Sequence, residues 1–136
     1  MKKFLAVFLG LLIIGGVAKA VSTTKTSDNM TRSERQTLNG VLKKLQICQN
    51  AELSGANFAF KVTRKGSTCV YYERNKDGAM TCSFPLDVAK KYGANGIIMN
   101  NAILDGSINE FNPFDDSSIS RAFAENISLA TKYCKK

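Results

Sequence analysis

An apolar run from Phe4 to Val17 opens the chain, preceded by Lys2 and Lys3 and followed by Ala18-Lys19-Ala20. Cations, a short greasy core and a small-residue site, in that order, read as a secretory signal peptide over residues 1–20, with cleavage expected after Ala20. The run is shorter than the roughly 20 apolar residues that a spanning helix needs, so the exported chain is not expected to span a membrane. Residues 21–31 are polar and lack periodicity, which predicts a flexible tail. Apolar periodicity then resumes. Leu38, Val41, Leu42, Leu45 and Cys48 recur at three- and four-residue steps, the stripe of one helix face, while Arg35, Asn39, Lys43, Lys44 and Gln46 fall elsewhere on the wheel. Thr31 or Ser33 is placed to cap its start, and Gly55 marks the loop beyond it.

The period then drops to two. Phe58, Phe60 and Val62 alternate with Ala59, Lys61 and Thr63, which predicts a half-buried strand. Lys65-Gly66 reads as a two-residue turn into a second strand, Thr68 to Arg74, and Asn75 to Gly78 as a four-residue turn into a third, Ala79 to Phe84. Those turns set Val62 against Cys69, Phe60 against Tyr71 and Phe58 against Glu73, then Tyr71 against Cys82, Cys69 against Phe84 and Glu73 against Met80. Opposed residues share a side of a sheet, so both turns assign Phe58, Phe60, Val62, Cys69, Tyr71, Met80, Cys82 and Phe84 to one apolar face.

After Pro85, Leu86, Ala89 and Tyr92 fit a short helix ended by Gly93. Residues 96–104 suit either a helix or a short buried strand around Ile97-Ile98-Met99. A Gly-, Asn- and Pro-containing loop follows, Asp105 to Asp116. The last helix begins near Ser117 or Ser118, carries Ile119, Phe123, Ile127, Ala130 and Cys134 on one face, and ends among lysines that suit a helix C-terminus. Residues 32–136 are thus expected to form one α+β domain: an N-terminal helix, a three-stranded antiparallel β-meander, a short helix and a C-terminal helix, with the helices packed on one sheet face. The order of helix then meander is similar to that of pilins in topology alone, because the leader has no prepilin cleavage site followed by an aromatic and a glutamate.

The four cysteines, Cys48, Cys69, Cys82 and Cys134, all follow the leader, and none forms a C-x-x-C pair. In an exported chain an even, dispersed set reads as a disulfide framework. Each cysteine falls on the apolar face of its element, two on helices and two on strands. Cys69 and Cys82 would lie diagonally across neighbouring strands, about 7 Å apart at Cβ, which leaves the two helix-to-strand connectivities open. The periplasm or the exterior is the expected location.

Losing Lys2, Lys3 and Lys19 with the leader leaves 16 Lys and Arg against 11 Asp and Glu, a balance of +5. The charge is scattered as short pairs, Lys43-Lys44, Arg64-Lys65, Lys90-Lys91 and Lys135-Lys136, so nucleic acid is not an expected partner; the pairs read as scattered solubilising charge, or else as a surface for an acidic protein or an anionic surface polymer. No histidine is present, which removes the usual general base and triad orienter. No catalytic residue, metal site or cofactor is expected. Among carboxylates, Glu73 alone sits on the apolar face and is expected in water at a strand end; otherwise it would serve a small cell-envelope hydrolase. The loop from Asp105 begins like a calcium loop, but Glu110 stands where glycine makes the sharp turn. On the outer sheet face Tyr72 between Lys61 and Arg74 forms an aromatic platform with flanking cations, the best candidate contact surface. The expected function is that of a small non-enzymatic binding module acting on a protein partner, as an inhibitor or immunity-type factor.

Overall fold

The computed structural model describes residues 30–106 and 117–136. The expected signal peptide, the expected tail as far as residue 29, and the expected loop from residue 107 to 116 lie outside the described residues. Met30 is fully buried and Thr31 caps the first helix, so the folded domain already includes both.

Helix α1, Arg32–Gln46, starts on a capping box. The Thr31 hydroxyl accepts from the Glu34 amide at 3.1 Å, and the Glu34 carboxylate accepts from the Thr31 amide at 2.9 Å, satisfying two amides that a helix start otherwise leaves open. Its buried stripe is Leu38, Val41, Leu42 and Leu45 with Arg35, which periodicity had assigned to the polar side. Arg35 lies one turn before Leu38, and α2 covers it. Its Nη1 donates to Asn100 Oδ1 at 2.9 Å, while Asn100 Nδ2 donates to the Arg35 carbonyl at 2.8 Å. The helix stops before Cys48, which takes a left-handed φ of 48° and turns the chain toward the sheet.

Five strands follow the order β1-β2-β3-β4-β5, all antiparallel: β1 Ala51–Ser54, β2 Ala59–Lys65, β3 Thr68–Asn75, β4 Gly78–Pro85 and β5 Cys134–Lys135. The expected three-stranded meander forms the centre, and β1 and β5 correct it to five. The β3–β4 register is the one expected, with Tyr71 opposite Cys82, Cys69 opposite Phe84 and Glu73 opposite Met80. At that turn the Asn75 side chain accepts from the amides of Asp77 and Gly78 at 2.8 and 3.1 Å, a local substitute for ladder bonds. The β2–β3 register differs by two residues, because the turn is Gly66-Ser67 and Lys65 pairs with Thr68. Gly66, at φ 63°, takes the first central position of that turn, where glycine is favoured. A slip of two leaves every side chain on its assigned face.

The short helix expected after Pro85 is a long one. Helix α2 runs Leu86–Leu104 without a break at Gly93, which resolves residues 96–104 as helical. Gly93 is required for packing. A Cβ there would lie 2.8 Å from the Leu42 carbonyl oxygen and 2.9 Å from Gln46 Cγ. The missing side chain lets α1 and α2 cross closely. Helix α3, Ser117–Tyr133, completes the layer and is tied to α2 where Asn126 donates to the Tyr92 carbonyl at 3.1 Å.

All three helices contact the sheet, and the sheet's buried side chains lie on one of its faces. The core is built from Phe60, Val62, Tyr71, Met80 and Phe84 of the sheet, Phe58 just before β2, and Leu38, Leu42, Tyr92, Met99 and Ala130 of the helices. Two disulfides close the domain, Cys48–Cys69 and Cys82–Cys134. The first joins the turn after α1 to β3; the second joins β4 to β5, and both half-cystines expected on helices sit just past a helix end. This is one of the two expected connectivities, and Cys69 and Cys82 are diagonal as the β3–β4 register requires.

Candidate functional site

Strand alternation sends every second side chain to the face opposite the buried core. On that face the pairing builds a row of directly opposed residues through all five strands: Glu52, Lys61, Tyr72, Thr81 and Lys135. A second row runs Ser54, Ala59, Arg74, Ala79. These side chains are exposed or half-buried.

The two-residue difference in register improves the candidate surface. Lys61 stands directly opposite Tyr72 instead of one step away, and Ala59 stands opposite Arg74. Opposed Cβ atoms lie about 5 Å apart, so Lys61 and Tyr72 form one cross-strand unit. Arg74 is flanked on both sides by alanine, Ala59 on β2 and Ala79 on β4. Its Nη2 donates to the Phe58 carbonyl at 3.4 Å, which restrains the guanidinium while leaving donors to spare. The result is a low floor of Ala59, Ala79, Thr81 and Ser83 from which Lys61, Tyr72 and Arg74 rise. The structure therefore brings together the three residues singled out in the sequence. Glu52 and Lys135, at the ends of the row, were missed because their strands were.

Charge on this face is lopsided. Among the described residues of its strands, Lys61, Lys65, Arg74 and Lys135 oppose the single carboxylate of Glu52. Two shallow depressions lie beside β1, one of about 490 Å³ lined by Ile47, Cys48, Gln49, Asn50 and Arg64, the other of about 450 Å³ along Asn50, Glu52, Lys61 and Thr63. Ile47 at the first is 64% exposed.

Glu73 is not in water. It is wholly buried, facing the helices between Phe60 of β2 and Met80 of β4, where no solvent-borne substrate meets it. Its charge is felt by the tyrosines near it. Burial above all, then Glu73, pushes the Tyr71 and Tyr92 phenols well above the ordinary tyrosine range. The two rings stand 5.7 Å apart between centroids. Of the candidate calcium loop, Asp105 and Gly106 end α2, with Gly106 at φ 79°, and the remaining positions lie outside the described residues.

Paired cysteines suit an oxidising compartment. Among the described residues no helix is long and apolar enough to cross a membrane, and no three His, Cys, Asp or Glu side chains gather in a group that would hold a metal ion. In comparisons with protein-family models, curated proteins and solved structures, nothing matches this chain, so its functional reading rests on geometry.

Proposed function

We propose that this chain is an exported, non-enzymatic binding module that engages a protein partner in the periplasm or outside the cell, in an inhibitor or immunity-type role. The carrying observation is the exposed to half-buried sheet face with Lys61 opposite Tyr72 and Arg74 beside them on a floor of small residues. An amphipathic ring and a forked cation are the side chains that most often dominate interface energetics. Two disulfides on the reverse side stiffen the strands that carry them, which lowers the ordering cost of association. The hydrolase alternative is disfavoured by the burial of its carboxylate, Glu73.

A photo-crosslinking amino acid in place of Tyr72, and separately in place of the exposed Lys90 on α2, tests the reading in envelope extract. The expected result is a discrete protein adduct from position 72 and none from position 90. Equal labelling from both positions, or no adduct from 72, defeats it.

A further inference from the structure

We infer that the partner presents an acidic protein segment, whose carboxylates pair with Lys61 and Arg74 while an apolar side chain covers Tyr72. This rests on the reading of the sheet face as the binding surface and adds the chemistry of what binds there.

Charge complementarity carries the first step. Four cations against one carboxylate make the face positive, and the whole chain is basic, so a second copy would bring like charge against like. The occupant is therefore a different, acidic molecule. Position carries the second step. Along the first row the cations Lys61 and Lys135 are three strand spacings apart, about 14 Å, with neutral Tyr72 and Thr81 between them. A uniform polyanion laid along that row would press charge onto the Tyr72 ring and, past Lys61, meet Glu52. A protein segment places carboxylates discretely and an apolar group between them.

Arg74 sets the orientation. Arg74 is paired with Ala59 and Ala79, and with Nη2 tethered to the Phe58 carbonyl its remaining donors, beside small side chains, are left for a carboxylate. Glu52 repels acid at the β1 end. The segment accordingly lies from β2 toward β5, over Tyr72 and Thr81.

A photo-crosslinker at Thr81, an exposed position within the footprint, reads the inference in envelope extract. The adduct is expected to be digested by protease, and its partner peptide, sequenced by mass spectrometry, to carry a net negative charge. Lys61→Glu combined with Lys135→Glu is expected to cut adduct yield about tenfold or more, and Glu52→Lys to raise it. Both changes are at exposed sites, and an unchanged melting curve shows that the fold is intact. A protein adduct that survives charge reversal, or that maps to a neutral or basic peptide, overturns the inference while leaving the binding face standing. A protease-resistant adduct to an anionic polymer overturns it in favour of that polymer. No adduct from Thr81 in the parent protein overturns the inference; the binding face itself falls only with loss of the adduct at position 72.

Discussion

Gly93 of α2 rests against the backbone of α1 at Leu42, so closely that a Cβ would stand 2.8 Å from the Leu42 carbonyl oxygen. Backbone cannot swing aside as a side-chain tip can. Gly93→Ala is therefore expected to destabilise the domain by about 1–3 kcal/mol despite alanine's better helix propensity. Gly40 supplies the control. It is exposed in the interior of α1 with nothing within 4 Å of a Cβ, so Gly40→Ala is expected to stabilise by about 0.5–1 kcal/mol. Urea unfolding of the two variants should move in opposite directions.

The disulfides close segments of 21 and 52 residues. Loop-closure entropy assigns about 3 kcal/mol to Cys48–Cys69 and about 4 kcal/mol to Cys82–Cys134. Against total stabilities of about 5–15 kcal/mol, either loss is large. Paired alanine substitution at 82 and 134 is expected to lower the melting temperature more than the pair at 48 and 69, and reductant to lower it further than either. Thermal scans that superimpose with and without reductant would contradict this.

Alkaline pH should unfold the domain through its buried tyrosines. Both folded-state phenols are raised above the unfolded value of about 10, so below that pH folded and unfolded chains hold these protons equally and stability is undiminished. As pH climbs past about 10 the unfolded chain ionises first, and each tyrosine removes up to about 1.4 kcal/mol per pH unit. Tyr71→Phe with Tyr92→Phe is expected to flatten the dependence of the denaturation midpoint between pH 9 and 12. Burial is the main cause, so Glu73→Gln should flatten it less.

Removing the Thr31 hydroxyl leaves the Glu34 amide without its acceptor at the start of α1. Thr31→Ala is expected to cost about 1 kcal/mol, and Thr31→Ser to cost little. Chemical denaturation of both variants measures the difference.

Much of this fold was legible in residue spacing, and the exceptions have physical causes. The central meander announced itself because Phe58-Phe60-Val62 and Cys69-Tyr71-Glu73 alternate strictly, and side-chain period protects face assignment from a register error of two. Strand β1 reads Ala-Glu-Leu-Ser, with one large apolar residue, and it is a strand because β2 pairs with it. Strand β5, two residues long, has no periodicity to detect. Gly93 imitates a helix stop; its reason for being glycine lies in α1, more than 40 residues away in sequence. Arg35 and Glu73 were placed in solvent on the ordinary tendency of charged residues, yet Arg35 falls on the Leu38 stripe and Glu73 on the Tyr71 face, and those positions decided their burial. In the candidate surface, Lys61, Tyr72 and Arg74 were readable from alternation alone. Their direct juxtaposition depended on a turn one residue later than expected, and the row's ends depended on the two unexpected strands.

Behind Tyr72 and Thr81, one residue away along their strands, sit Tyr71 and Cys82, a pair that meets across the ladder on the opposite side. The sulfur bolt at Cys82 thus fastens the back of the plate whose front carries the proposed contact surface. Unfastening it need not melt the domain to be felt. Slackness in β4 would loosen the spacing between Tyr72 and Lys135, and the proposed complex is expected to have a shorter lifetime under reducing conditions too mild to unfold the chain.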